Sequence, residues 1–318
     1  MSMPTQVPAR RANLRRPPFW SVAALVALGL AASIAWGWRP LARLAYVADR
    51  AVNIRLTAWD LRHWPKVENA AFRVYYPPGE ADVARTVLGI ATHALPFEEQ
   101  NLDEFPRHQL LVVVYPTEAA LDQAVGEPPD LANIGYDYDG VIDILSPKAW
   151  LGSGPEALAA FRKDGPVPHE LGHALLDLKA DQNYPHWFNE GVAQYEDYRV
   201  TGYQWITPTN SLRGPLYSMA QLSNATFYSL PDQSRAYREG LALVEYLEGI
   251  KGHHAFLAFL HALQDDVPFN QALSQVYHFS SPDALFHAWL RTLGRRPSTT
   301  ESPQPNIRPS SSTALSPF

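Results

Sequence analysis

The chain has 318 residues, of which 46% are apolar and 18% charged, so it is long enough for a folded body with a sizeable core. The absence of cysteine excludes disulfide scaffolds, thiolate zinc sites and cysteine nucleophiles. Residues 1–50 carry seven arginines and one aspartate, which leaves 19 basic and 31 acidic residues in the remainder, a balance unsuited to nucleic-acid binding.

The N-terminal region predicts a membrane anchor. Residues 1–18 contain four arginines and no acid, and residues 19–38 then run for twenty positions without a charge, about the length of a membrane-spanning helix. Tryptophans lie at both ends of the run, and the positive-inside rule places the N-terminus in the cytoplasm and the body outside. The alternative is a cleaved signal peptide, with Ser33 to Ala35 as the small-residue cleavage site.

Residues 39–64 are interpreted as a juxtamembrane linker and residues 65–294 as the folded domain. The tail, 295–318, is rich in serine, threonine and proline and lacks apolar periodicity, which predicts disorder.

The first half of the domain predicts a small α+β unit. Apolar alternation or β-branched runs predict strands at Phe72–Tyr76, Gln109–Tyr115 and Gly140–Leu145. Helical spacing predicts a helix over Ala81–Leu95 that ends at Pro96, and a second over Thr117–Val125.

The second half predicts helices almost throughout. Apolar residues recur every three or four positions in segments near 166–179, 187–199, 234–250, 254–264, 268–277 and 282–293. The stretch 200–233 is polar and irregular. The fold class is therefore α+β, with a strand-rich half followed by a helical half.

The letters HELGH at 169–173 fit the pattern HExxH. On a helix, His169 and His173 lie one turn apart on the same face, so both imidazoles can reach one metal ion. Glu170 lies about 100° round the helix, where its carboxylate suits a general base for a zinc-activated water. The apolar residues that follow, Ala174, Leu175, Leu176 and Leu178, predict a buried helix, which disfavours the alternative of two surface histidines.

A catalytic zinc site needs a third protein ligand and one open position. The metzincin pattern is excluded because Leu176 and Lys179 occupy its glycine and histidine positions. Glu190, in the letters NEG, follows His173 after sixteen residues, which allows a turn and a returning second helix. The predicted cofactor is one Zn²⁺ ion, bound by His169, His173 and Glu190 with water as the fourth ligand.

HExxH followed by an NEG-type glutamate resembles the gluzincin metallopeptidases, and most closely the peptidase MA-like group of bacterial extracytoplasmic proteins. That group typically reads HELAHAL, followed by Pro-x-Trp-x-x-Glu-Gly. Its strands are like FRVYY and LLVVVY, and its closing helices are like AYREGLALVEYL and ALFHAWL. The resemblance covers roughly residues 65–293. It implies a zincin-like (gluzincin) catalytic domain that hydrolyses peptide bonds in peptide or protein substrates.

The resemblance also implies roles for individual residues. Glu170 is the general base, and Tyr237 matches a tyrosine whose hydroxyl stabilises the oxyanion. Apart from the resemblance, helical spacing puts Asp197 two turns after Glu190 on the same helix face, where it is predicted to accept the free N–H of a ligand histidine; the alternative is a solvated helix acid. Asn189 is predicted to hold the backbone near the zinc.

The chain departs from the family at two points. Pro168 directly precedes His169, which predicts a later start of the zinc helix. The Gly-x-Met-Glu-Asn motif of aminopeptidases is absent, so an aminopeptidase is not expected. The prediction is a single-pass, membrane-anchored zinc metallopeptidase of the bacterial cell membrane, with its domain outside the cytoplasm. The alternative is a non-catalytic zincin-fold protein that binds peptide or cell-envelope partners.

Overall fold

The computed structural model describes residues 39–126, 133–224 and 226–294. The predicted basic segment, the predicted anchor and the predicted tail lie outside these residues. Among the helices in the described part of the chain, none is both long enough and apolar enough to cross a membrane.

Five strands form one mixed sheet in the order β1-β2-β3-β5-β4: β1 (Lys66–Glu68), β2 (Phe72–Tyr75), β3 (Leu110–Tyr115), β4 (Gly135–Tyr138) and β5 (Val141–Leu145). The helices before and between the strands are α1 (Arg39–Asp60), α2 (Ala81–Leu102) and α3 (Glu118–Val125). Those after the sheet are α4 (Pro155–Asp164), α5 (Val167–Ala180), α6 (His186–Thr201), α7 (Met219–Ser223), α8 (Gln233–Lys251), α9 (His253–Gln264), α10 (Phe269–Tyr277) and α11 (Pro282–Thr292).

The centre of the sheet is parallel and its edges are antiparallel. Strands β2, β3 and β5 pair in parallel, whereas β1 pairs antiparallel with β2 and β4 antiparallel with β5. The three predicted strands are therefore present as β2, β3 and β5, all of them internal, and the edges are β1 and β4. Asp139 and Gly140, with φ of 47° and 78°, form the two-residue turn between β4 and β5.

The two sheet faces pack against different helices. Phe72, Val112 and Ile144 belong to the main core with α2, α5, α6 and the helices that follow. The opposite face of the same strands, which includes Tyr75 and Val113, forms a smaller hydrophobic cluster with side chains of α1 and α3. The helical half thus lies on one face only, which is the α+β arrangement predicted.

Helix α2 does not end at Pro96 as predicted. It continues for six residues beyond, with Pro96 inside the helix. An internal proline costs about 3 kcal/mol of helix stability, but Leu95, Glu98 and Leu102 are buried along this continuation. Tertiary packing therefore outweighs the local preference to stop.

Helix α1 occupies most of the segment interpreted as a linker, and it packs against the end of α5. Arg43 Nε lies 2.7 Å from Asp181 Oδ2, Arg50 Nη1 lies 3.1 Å from Asp177 Oδ2, and the Tyr46 hydroxyl donates to the same Asp177 oxygen. These contacts connect the N-terminal helix directly to the helix that carries HELGH.

Candidate metal centre

Helix α5 presents both motif histidines from its first turns. It begins at Val167, after Pro166, and Pro168 lies within the first turn. Prolines are tolerated there because first-turn N–H groups have no partner within the helix. The predicted late start is therefore not found, and His169 and His173 lie on the same helical face.

The three predicted ligands meet in space. The Nε2 atoms of His169 and His173 are 3.1 Å apart, and Glu190 Oε2 lies 3.4 Å from each of them. Tetrahedral ligands at ordinary Zn–N and Zn–O lengths are separated by about 3.3 Å. Glu190 Oε2 is buried and makes no hydrogen bond of ordinary geometry to any described residue. The three donors therefore fit a tetrahedral zinc ion.

Two glycines bring the next helices to this point. A Cβ at Gly191 would overlap the backbone of Gly240, and a Cβ at Gly240 would lie 2.7 Å from the Trp187 carbonyl oxygen. Helices α6 and α8 can therefore pack backbone against backbone. Glu190 precedes the first glycine by one residue and Tyr237 precedes the second by three, so this packing places both at the same site.

Each ligand histidine has a partner at its other ring nitrogen, Nδ1. Asn189 Oδ1 lies 2.9 Å from Nδ1 of His173 and can accept its N–H, and the side-chain amide of Gln194 lies 3.2 Å from Nδ1 of His169, where a zinc-bound imidazole requires the amide oxygen as acceptor. Such contacts orient a ligand imidazole. Asn189 thus contacts a ligand through its side chain, rather than through the backbone role predicted for it.

Asp197 does not occupy the position predicted for it. Its carboxylate accepts a hydrogen bond of 2.9 Å from Thr201 on the same helix. It lies two turns beyond Glu190, whereas Gln194 lies one turn beyond and reaches His169. Gln194 could have been found from its i, i+4 spacing to Glu190. It was missed because a carboxylate was expected as the partner of the histidine, and Asp197 lies one turn further along the helix.

The Glu170 carboxylate lies against the edge strand. A Cβ at Gly135 would lie 2.7 Å from Glu170 Oε1, so only glycine leaves room for this side chain. Burial raises the pKa of Glu170 to about 8, opposed by the charge of His173 and by a hydrogen bond from the Asp137 backbone. A cation beside it would lower that pKa again, as a general base requires.

Tyr237 lies over the first ligand histidine. Its ring stacks on His169 with centroids 6.1 Å apart and an interplanar angle of 22°, and Trp205 packs edge-on against the Tyr237 ring with centroids 5.6 Å apart. Burial, followed by the charge of Glu190, raises the pKa of Tyr237 well above its usual value. Its hydroxyl therefore stays protonated and can donate a hydrogen bond.

Tyr228 is a neighbour of the site that the sequence did not indicate. Its hydroxyl donates to Glu190 Oε1 at 2.8 Å. It lies in a short 3₁₀ turn, Phe227–Ser229, within the irregular stretch where no periodicity marks any position. His186, on the rim, packs edge-on against the Tyr228 ring at 5.1 Å.

The charges of the ligands favour a bound cation. Burial raises the pKa of Glu190, but the charge of His173 and hydrogen bonds from both histidines reverse the effect and hold it well below its usual value. Burial opposes the charged form of His173, yet Glu190 raises its pKa to about 10. Burial lowers the pKa of His169. A buried carboxylate thus recruits positive charge to the position between the imidazoles.

Comparisons with known proteins give likenesses among solved structures. No protein-family model matches the chain, and no curated protein matches it. Among solved structures, a mutant of an M1 zinc metallopeptidase from Deinococcus radiodurans is 15% identical, with a TM-score of 0.35, over 71% of this chain and 50% of that one. The present chain thus spans about half the length of that enzyme.

Proposed function

We propose that this protein is a zinc-dependent metallopeptidase that hydrolyses peptide bonds. The observation that carries the proposal is the cluster of His169, His173 and Glu190, whose donor atoms all lie within 4.8 Å of one another, beside the carboxylate of Glu170. It is the one cluster of three metal-binding side chains in the part of the chain that the structure describes. Zinc sites with two histidines, one glutamate and water are hydrolytic in thermolysin and carboxypeptidase A.

The side chains divide the chemistry between them. His169, His173 and Glu190 would hold the Zn²⁺ ion, which supplies polarisation of the scissile carbonyl and a lowered pKa for water. Glu170 removes a proton from the attacking water and delivers it to the leaving amine nitrogen. Tyr237 donates a hydrogen bond to the carbonyl oxygen as negative charge develops.

The edge strand supports a peptide as the substrate. Among described residues, β4 pairs with β5 on one side only, and its Gly135 lies directly against Glu170. An extended peptide that added to the free edge would place its backbone beside the general base. Backbone hydrogen bonds of this kind hold a chain without selecting its side chains.

We further propose that residues 19–38 anchor the protein in the bacterial cell membrane, with the catalytic domain outside the cytoplasm. The support is the uncharged run and its arginine flank. Sequential truncation before residue 39, followed by membrane fractionation and protease protection, tests this separately from activity.

The deciding experiment compares wild type with Glu170→Gln. Both proteins are assayed for zinc per chain and for cleavage of a fluorogenic peptide library. Glu170→Gln is expected to keep its zinc and lose activity, since general acid–base catalysis contributes about 10²–10⁴-fold. Glu156→Gln, the same change at an exposed position on α4, is the matched control and is expected to stay active.

The outcomes separate the alternatives. Zinc-free, folded wild type would overturn the metal centre. Zinc-loaded wild type without activity would overturn the peptidase. Activity unchanged in Glu170→Gln would overturn the role of Glu170 as the general base. Wild type that binds zinc but cleaves no peptide would favour the alternative, a non-catalytic zincin-fold protein that binds peptide or envelope partners.

A further inference from the structure

The half-exposed ring of Tyr228 lies at the candidate metal centre, and the proposed chemistry gives it no role. The ring is 47% exposed, yet its hydroxyl donates to the buried Glu190 Oε1 at 2.8 Å. Contacts with His186 and Phe227, with ring centroids 5.1 and 5.2 Å away, hold it in place. The hydroxyl is thus aimed at a ligand by the packing of its own ring.

The two oxygens of Glu190 have different surroundings. Oε2 is free of hydrogen bonds of ordinary geometry and lies 3.4 Å from Nε2 of both His169 and His173. Oε1 is the oxygen that Tyr228 contacts. A carboxylate can bind a metal through one oxygen or through both. A hydrogen bond on Oε1 occupies one of the two acceptor sites of that oxygen and draws its charge away from the metal position, so it disfavours two-oxygen binding, and it also restrains the plane of the carboxylate.

The number of Glu190 oxygens on the metal bears on activity. A catalytic zinc site keeps a position open for water or substrate beside three protein ligands. A second oxygen from Glu190 would compete for that position. A neighbouring donor that restrains Glu190 therefore acts on the reaction although it touches neither the metal nor the substrate.

We propose that Tyr228 is a positioning residue that restricts Glu190 to one-oxygen ligation and so keeps the fourth position open. The inference rests on the proposed metal centre. It separates the two tyrosines at the site by role. Tyr237 stacks on His169 and also interacts with the Glu190 side chain, but its proposed role is to donate to the substrate oxygen, whereas Tyr228 acts through Glu190 alone.

The test uses the full-length chain in mild detergent, loaded with excess Co²⁺ so that a weakened site is still filled. Visible absorption reports the cobalt coordination number, because four-coordinate Co²⁺ absorbs more strongly than five-coordinate Co²⁺. Tyr228→Phe keeps the ring packing and removes only the hydroxyl. It is expected to bind one metal per chain with weaker absorption, and to lower kcat by about 10–100-fold with KM nearly unchanged.

Tyr198→Phe is the matched control, since Tyr198 is an exposed tyrosine on α6 away from the ligands. Its spectrum and kcat are expected to match wild type. Identical spectra for Tyr228→Phe and wild type at full cobalt loading would overturn the inference, whatever the change in affinity. Wild type that binds no metal would instead overturn the metal centre, so the two failures are distinguishable.

Discussion

Among the buried carboxylates of helix α6, Glu190 in its first half and Glu196 in its second half differ in their neighbours. Glu190 and Glu196 are exposed by only 3% and 1%. Glu190 faces two imidazoles and a tyrosine hydroxyl. Glu196 accepts a hydrogen bond from Asn101 on α2 through Oε1, but its Oε2 accepts none from described residues. Both carboxylate oxygens of Glu98 on α2 also lack a hydrogen bond to described residues.

The pKa values of the two groups move in opposite directions. Burial raises both, yet the histidines lower the pKa of Glu190 below its usual range. Burial raises the pKa of Glu196 to about 8, with only partial opposition from Asn101. Burial and the charges of Glu196 and Asp197 raise the pKa of Glu98 well above its usual value. Neighbours, rather than burial, decide which end of α6 is charged and able to bind a cation.

The largest expected effect comes from removing each carboxylate in turn. Glu190→Ala should weaken zinc binding by more than about 100-fold, since changes to partners outside the ligand set already cost 10–100-fold. Glu196→Ala, the matched change on the same helix, should keep one zinc per chain. Metal analysis after dialysis measures both. Equal zinc loss in the two variants would mean that α6 stability, rather than ligation, holds the metal.

A smaller effect is expected from the side chains that orient the imidazoles. Gln194→Ala and Asn189→Ala should each weaken zinc binding by about 10–100-fold, because each frees the Nδ1 of one ligand. Asp197→Asn should leave zinc affinity unchanged, since Asp197 pairs with Thr201. Competition with a zinc-binding dye gives all three values. Loss of affinity in Asp197→Asn alone would contradict this assignment.

The smallest effect concerns the uncharged end of α6. Glu98 and Glu196 have folded-state pKa values above the usual 4.5, so the folded state favours their protonated forms. Their contribution to stability is full below about pH 4.5 and is lost as the pH rises through their folded-state pKa values, which is about 8 for Glu196. Glu98→Gln removes one ionisable group. The free energy of unfolding of this variant should therefore increasingly exceed that of wild type as the pH rises, by at least ~1 kcal/mol, or roughly 2–4 °C in Tm.

Thermal unfolding of the zinc-loaded protein at about pH 5 and pH 9 measures this. Glu156→Gln, at an exposed position, should show no such dependence. A Glu98→Gln variant that is less stable than wild type at high pH would mean that the Glu98 carboxylate is charged and paired in the folded protein.

The sequence was most informative where apolar residues recurred at a regular spacing and metal-binding side chains lay in the same segment. Two histidines at i and i+4 on an apolar helix predicted a shared metal ion, and Glu190 followed at a spacing that permits a returning helix. The buried strand Leu110–Tyr115 and the helices after residue 166 were predicted for the same reason, because burial on a fixed face imposes a period on the chain.

The remaining features depended on contacts between distant segments. The extension of α2 through Pro96 follows from burial against other helices, and the edge strand Gly135–Tyr138 has no apolar alternation to mark it. Tyr228 lies in a segment without a period, so only folding brings its hydroxyl to Glu190.

By itself, therefore, the sequence predicted the three candidate ligands and the α+β fold class, because helical geometry brings the two histidines together and the spacing to Glu190 permits a returning helix. The tertiary structure decided which oxygen of Glu190 faces the histidines, which side chains orient them, and which buried carboxylates carry charge. Those properties depend on distances of about 3 Å between atoms far apart in the chain, where no spacing rule applies.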